Sequence, residues 1–162
     1  MPFVFFPYTS KGLVHYIKAR TLISKAGIVE LEKKHGDRIG RFKNSKGSVP
    51  FPYLVDKLNP RFENVYIVEG EIKALAMAQH GYQAVGIPGV NSFNKQWVSY
   101  FSTLNKIFLI MDNDEAGRSA VSRLKEIFLL GRGLRVEDLT PYFDCDIDEY
   151  FLLPEYGENN IY

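Results

Sequence analysis

Two short stretches of this sequence combine carboxylates with glycine in a way that suggests chemistry. The first is Val-Glu-Gly-Glu at 68–71, and the second is Asp-Asn-Asp-Glu-Ala-Gly at 112–117. Each follows an apolar run typical of a buried strand, and each precedes a helix-like run. If both strands belong to one parallel sheet, Glu69, Asp112 and Asp114 meet at its C-terminal edge, where open α/β sheets bind ligands. Clustered carboxylates suit Mg²⁺, and Mg²⁺ suits phosphate chemistry, so the pattern predicts an enzyme acting on nucleotides or nucleic acid.

A third acidic group lies further along, at Asp144, Asp146, Asp148 and Glu149. Two or three carboxylates are enough for Mg²⁺, because waters and substrate phosphates complete its octahedron. Glu69 could act as a general acid or base if its neighbours raise its pKa. The alternative is that a carboxylate after a strand only caps the next helix. Three acidic groups after three segments of one sheet favour a metal site over that alternative.

The elements that must position these groups alternate along the chain from residue 65 onward. Apolar, β-branched runs predict strands at 65–68, 83–87, 106–111 and 134–139. Helical spacing predicts helices at 72–80, 93–104 and 115–130, and a short one at 146–153. Gly81 and Gly131 are the expected helix stops. Right-handed crossovers would make this an α/β fold with a doubly wound, mostly parallel, four-stranded sheet.

The first 64 residues have a different pattern. Residues 13–26 look helical, and residues 28–32 and 38–43 alternate at period two around a turn, which predicts a β-hairpin. We therefore expect a small N-terminal α+β appendage at 1–64 and the α/β domain at 65–162.

Composition and charge narrow the class of protein. With 46% apolar residues among 162, the chain can build an ordinary core. Residues 1–64 hold 12 Lys/Arg and 5 Asp/Glu, whereas residues 65–162 hold 8 and 14, so a basic half joins an acidic half. A polyanion-binding surface beside a metal site would require that asymmetry. The single cysteine, Cys145, and the lack of a long apolar run or basic leader predict a cytoplasmic protein with no membrane partner.

The two motifs together resemble the Toprim domain, which occurs in bacterial-type primases, phage primase-helicases, topoisomerases and some nucleases. The primase branch fits best: Glu-Gly-Glu-Ile at 69–72 and Asp-Asn-Asp-Glu-Ala-Gly-Arg at 112–118 are similar to phage primase-helicase modules. Asp-Ile-Asp-Glu at 146–149 resembles a late primase segment, and Gly36 to Ser45 resembles the primase core upstream of Toprim. The resemblance covers about residues 65–153.

The resemblance implies specific roles for the acidic residues. It implies a Toprim-like sheet, a catalytic role for Glu69, Asp112 and Asp114, and a magnesium site that manganese can also fill. The implied metal ligands are Asp112, Asp114, Asp146, Asp148 and Glu69.

The sequence also departs from primases. Lys73 stands where primase modules often carry an acidic residue; it would contact a phosphate or, equally, be a solvated helix residue. The sequence has one cysteine and no Gly-rich Walker loop, so we expect partner proteins to supply any zinc module or helicase.

A basic segment upstream suggests a path for single-stranded DNA. Arg41, Lys43 and Lys46 alternate with aromatic residues, and such patterns track a nucleic-acid backbone and stack bases. Alternatively, most of the aromatic residues belong to the core while the cations face water. We expect Arg41, Lys43, Lys46 and Lys73 to bind nucleic acid.

Three functions remain open at this point. The first is primase-type synthesis of RNA primers from nucleoside triphosphates on single-stranded DNA, in a mobile-element or phage-like replication system. The second is a metal-dependent nuclease whose carboxylates activate water instead of a hydroxyl group. The third is a non-catalytic module that binds nucleic acid or a replication partner.

Overall fold

The computed structural model describes residues 2–89 and 91–153. The chain divides into two compact units, Met1–Val49 and Pro50–Tyr162. The division falls before the boundary expected at 64/65. The reason lies in the segment between, since the backbone N–H and carbonyl of Tyr53 pair with Gly86 of the second unit.

The first unit is a three-stranded antiparallel sheet with one helix. Strands β1 (Phe3–Ser10), β2 (Leu13–Thr21) and β3 (Phe42–Asn44) lie in the order β1-β2-β3, and helix α1 (Lys25–His35) connects β2 to β3. Lys11 and Gly12, both at positive φ, form the tight turn between β1 and β2.

Both N-terminal predictions of element type were wrong. The predicted helix at 13–26 is mostly strand β2, because β1 precedes it and pairs with it along its length. The predicted hairpin strand at 28–32 lies inside α1. That helix has caps at both ends: Ser24 Oγ accepts from Gly27 N at 3.1 Å, and Gly36 ends the helix in the left-handed conformation. The other predicted hairpin strand is the short β3, which pairs with β2 instead.

The second unit has the predicted α/β fold. Among the described residues, its strands are β4 (Asn64–Glu69), β5 (Ala84–Ile87), β6 (Lys106–Ile110) and β7 (Val136–Asp138). They lie in the order β5-β4-β6-β7, with parallel pairing between neighbours. Its helices are α2 (Glu71–Gln79), α3 (Glu115–Arg132) and α4 (Ile147–Tyr150), with single 3₁₀ segments at Val55–Lys57, Lys95–Phe101 and Thr140–Tyr142. The sequence thus predicted the sheet and its strand types correctly.

Two details differ from the prediction. The predicted helix at 93–104 is the 3₁₀ segment Lys95–Phe101. Helix α3 continues through Gly131 and ends at Gly133, whose positive φ lets its N–H reach the carbonyl of Leu129. Gly131 therefore lies within the helix rather than ending it.

The core explains why β4 and β6 occupy the middle of the sheet. Residues 65–68 of β4 and 107–110 of β6 are buried on both faces, as expected for central parallel strands. The buried face of α3 packs with the aromatic side chains of the 3₁₀ segment around Phe101, and its members in the core are Ala120, Val121, Leu124, Ile127 and Phe128.

Within the described residues, no helix combines the length and apolar character needed to cross a membrane.

Candidate functional site

The acidic motifs lie where the two central strands end. Val68 of β4 pairs with Ile110 of β6, so both strands finish at the same level of the sheet. Glu69 is the last residue of β4 and is half-buried, and Asp112 follows β6 by two residues. The expected meeting of carboxylates at the C-terminal edge is therefore present.

Gly70 turns the chain sharply after Glu69. Its φ of 81° and ψ of 174° belong to a region that side-chain-bearing residues essentially never adopt. Gly70 N donates to the Ile87 carbonyl at 2.8 Å, and a Cβ added to Gly86 would overlap the Gly70 carbonyl oxygen. These glycines let α2 start directly behind Glu69.

The turn after β6 is built from helix-capping contacts. Asp114 is the N-cap of α3, and its Oδ1 accepts from Gly117 N at 2.7 Å. The capping interpretation weighed for this motif thus holds for Asp114 itself. Below this turn, Met111 N donates to Thr140 Oγ1 at 2.9 Å in a buried contact. Thr140 was not among the predicted site residues, since its sequence neighbourhood gives no sign of this long-range bond.

Lys73 lies in the middle of the carboxylates. Its Nζ donates a hydrogen bond to Oδ1 of Asp112 and lies 3.1 Å from Oδ1 of Asp146. The side chain of Lys73 is only 12% exposed. The interpretation of Lys73 as a solvated helix residue is therefore wrong. No sequence pattern signals this contact, because Asp112 is 39 residues away along the chain.

The electrostatics of the site follow from these contacts. Burial raises the pKa of Glu69, and the charge of Asp112 raises it further, while Lys73 opposes the shift. Burial alone would lower the pKa of Lys73, but its hydrogen bonds and charge pairing with Asp112 and Asp146 outweigh that effect and raise it. The site thus combines a carboxyl group whose pKa is raised with an ammonium group whose pKa is also raised.

The late acidic group contributes two predicted residues. Asp146 precedes α4 and reaches Lys73, so the structure brings it to Asp112. Asp148 lies in the first turn of α4, and its Oδ1 is buried with no hydrogen-bond partner among the described residues. Burial and the nearby carboxylate of Glu149 raise the pKa of the Cys145 thiol, which argues against a nucleophilic role for it.

The predicted metal ligands can now be tested against this arrangement. Residues 2–89 and 91–153 contain no group of three or more ligating side chains placed to hold a metal ion. Of the predicted ligands, Asp112 and Asp146 are bonded to an ammonium group, and Asp114 caps a helix. As arranged here, these side chains do not fit the magnesium centre that the resemblance implies.

The predicted basic segment lies in the first unit. Phe42 is 44% exposed, and three cationic side chains surround its ring, with Lys18 Nζ at 4.6 Å from the centroid and Arg20 and Arg41 just under 6 Å away. Lys43 lies over the ring of Phe3, and Lys46 is exposed. Tyr53 is buried, as the core interpretation of the aromatic residues expects, while Phe42 is open to solvent. Binding of nucleic acid by this segment stays a prediction.

Comparisons with known proteins agree with this description. The chain matches the Toprim-like family (Toprim_2) over residues 66–151, more than half of its length. Among curated protein sequences, none matches.

Solved structures show the same fold over nearly the whole chain. The Aquifex aeolicus primase, a structure of its zinc-binding and RNA polymerase domains, has a TM-score of 0.73 at 18% identity, covering 96% of this chain and 38% of that one. A DnaG primase catalytic domain bound to single-stranded DNA has a TM-score of 0.67 at 23% identity, and the match covers 96% of this chain and 48% of that one. The primase fragment of the bacteriophage T7 primase-helicase has a TM-score of 0.66 at 22% identity, and the match covers 91% of this chain and 56% of that one.

This chain therefore spans less than two thirds of each of those primase chains. With its family match, its parallel sheet and its carboxylates at the ends of β4 and β6, the chain belongs to the Toprim-like family and has the primase-type Toprim fold.

Proposed function

We propose that this chain is the Toprim part of a primase that synthesises RNA primers on single-stranded DNA. The observation that carries the proposal is the placement of Glu69 and Asp112 at the ends of two adjacent parallel strands, within a fold shared with primase catalytic domains. A mobile-element or phage-like replication system fits this proposal, because the two motifs are most similar to phage primase-helicase modules.

The chemistry is nucleotidyl transfer. The 3′-hydroxyl oxygen of one nucleotide bonds to the α-phosphorus of the next nucleoside triphosphate, the bond to the β-phosphate breaks, and pyrophosphate leaves. The hydroxyl proton passes to the Glu69 carboxylate, whose raised pKa suits it to hold a proton. Lys73 supplies fixed positive charge for the phosphates, as such reactions depend mainly on positioning and charge neutralisation.

The template would bind through the first unit. Arg41, Lys43 and Lys46 provide positive charge for the backbone, and the exposed ring of Phe42 provides a face for stacking a base. The DNA-bound DnaG domain supports single-stranded DNA as the ligand. Partner proteins would supply a zinc module and a helicase, since the Aquifex primase has a zinc-binding domain and the T7 protein is a primase-helicase.

A gel assay tests this proposal. Labelled single-stranded DNA is incubated with ribonucleotides and with magnesium, manganese or EDTA, using wild type, Asp112→Asn and the surface control Asp37→Asn. New oligonucleotides that need ribonucleotides and Asp112, and that persist in Asp37→Asn, would support a primase. Shortened DNA without nucleotides would instead identify a metal-dependent nuclease. The sequence predicts a magnesium requirement, and the EDTA arm checks it: products that persist in EDTA would show that no divalent ion is needed.

One observation favours a second candidate function. Because Lys73 occupies the centre of the carboxylates, the chain also fits a non-catalytic module that binds nucleic acid for a replication partner. In that case DNA would be retarded on the gel without new or shortened products. Retardation that survives both EDTA and Asp112→Asn, but falls in an Arg41→Ala/Lys43→Ala double variant, would support this candidate.

A further inference from the structure

Lys73 joins two acidic segments that are distant in sequence. Asp112 follows β6 and Asp146 precedes α4, and the ammonium group of Lys73 lies against both. Lys73 is held there by the first turn of α2, whose start behind Glu69 depends on the unusual conformation of Gly70. The start of α2 thus directs Lys73 toward the site, and the two carboxylates hold its ammonium group there.

The position of this ammonium group excludes a second cation from the same place. An ammonium group donates up to three hydrogen bonds, and here it meets an oxygen of each carboxylate. A magnesium ion bridging the same two groups would need oxygens at about 2.0–2.1 Å in a near-octahedral arrangement. It would also lie within a few ångströms of a fixed positive charge, where charge repulsion is strong.

We propose that the ammonium group of Lys73 is the resident cation of this site, replacing a divalent metal ion between Asp112 and Asp146. Its role toward nucleotide phosphates rests on the proposed function, whereas its role as the resident cation does not. The proposal explains why the predicted metal ligands do not form a metal centre: their negative charge is already compensated from within the chain.

Binding of Mn²⁺ alone tests the assignment on the full chain, because the electron paramagnetic resonance signal of free Mn²⁺ falls when the ion binds. Wild type is compared with Asp112→Asn, Lys73→Asp, Lys73→Met and the double variant Lys73→Asp/Asp112→Asn. Lys57→Asp is the matched control, because it changes net charge equally at a lysine whose side chain is 70% exposed. Circular dichroism establishes that each variant is folded.

We expect Asp112→Asn to leave Mn²⁺ affinity within about twofold of wild type, because no divalent ion is held there. Lys73→Asp should tighten binding at least about tenfold, a small part of the effect that reversing a charge at this distance can produce. The gain should disappear in the double variant and be absent in Lys57→Asp. Lys73→Met should tighten Mn²⁺ binding several-fold. If Lys73→Asp does not fold, Lys73→Met serves as the test of the assignment.

Two results would overturn the assignment. One is a wild-type Mn²⁺ site that weakens tenfold or more in Asp112→Asn. The other is a folded Lys73→Asp or Lys73→Met that binds Mn²⁺ no better than wild type. These measurements involve no primer synthesis, so a protein that fails the gel assay yet shows the expected Mn²⁺ pattern would refute the proposed function alone.

Discussion

Gly117 lies directly against the backbone of Asp112. A Cβ added to Gly117 would overlap the Asp112 carbonyl oxygen and come within 2.9 Å of the carbonyl carbon. The first turn of α3 can therefore pack against the end of β6 only because residue 117 has no side chain. This contact fixes where Asp112 leaves the sheet, and thus where its carboxylate lies relative to Lys73.

We therefore expect Gly117→Ala to destabilise the protein. Alanine gains roughly 1 kcal/mol over glycine inside a helix, but forcing a methyl group into packed backbone costs up to about 3 kcal/mol, so the net loss should reach up to about 2 kcal/mol. Urea unfolding followed by the fluorescence of the single tryptophan, the buried Trp97, measures it.

Gly131→Ala in the same helix is the control for that experiment. A Cβ there would meet the side chain of Val98 at 3.3 Å rather than backbone, so its stability should change by less than about 1 kcal/mol. Equal stabilities for Gly117→Ala and wild type would mean that α3 can move away from Asp112 at little cost.

Thr140 stabilises the turn between β6 and α3. Its hydroxyl oxygen accepts the buried N–H of Met111, the residue before Asp112. Thr140→Val keeps the shape but leaves that N–H without its acceptor, so we expect a loss of about 1–3 kcal/mol. Thr140→Ser keeps the acceptor and removes one methyl group, for about 0.8 kcal/mol. If urea unfolding ranks serine as the more damaging change, packing rather than the hydrogen bond holds the turn.

The second unit was predictable because its signals agree with one another. The apolar runs at 65–68 and 106–111 are too short for helices and too continuous for half-exposed strands, so they indicate buried parallel strands. The alternation of strand and helix then places Glu69 and Asp112 at one edge without further information. That part of the site depends on topology, which local sequence determines well.

The first unit and Lys73 depend on contacts that local sequence does not show. Residues 28–32 alternate at period two but form helix, because Ser24 and Gly36 cap a helix around them. Residues 13–21 form β2 and not the predicted helix because they pair with β1 across the turn at Lys11 and Gly12. Lys73 was recognised as unusual for the family, but its two partners are identified only once α2, β6 and α4 are in place.

Asp114 combines a structural and a proposed chemical role, and substitutions can separate them. Asp114→Ala removes the cap on the N–H of Gly117, which should cost about 1 kcal/mol, whereas Asp114→Asn keeps an oxygen to accept it and should cost little. If Asp114 also serves catalysis, primer synthesis should fall in both variants although only alanine lowers stability. Full synthesis by Asp114→Asn would leave Asp114 as a helix cap alone.

Lys73 should make the stability of the protein sensitive to alkaline pH. Its pKa is raised above the ordinary 10.5, so its contribution is fully present below that value and is lost as pH rises through the folded-state pKa. Lys73→Met should therefore be less stable than wild type by on the order of 1 kcal/mol near neutral pH, since Asp112 and Asp146 are 34% and 46% exposed. The difference should shrink as pH rises beyond about 10.5. Urea unfolding of both proteins from neutral to alkaline pH measures it. Lys57→Met, at a lysine whose side chain is 70% exposed, is the control that should stay close to wild type throughout. A stability difference for Lys73→Met that stays constant to the highest pH would show that Lys73 contributes packing by its aliphatic stem and not charge.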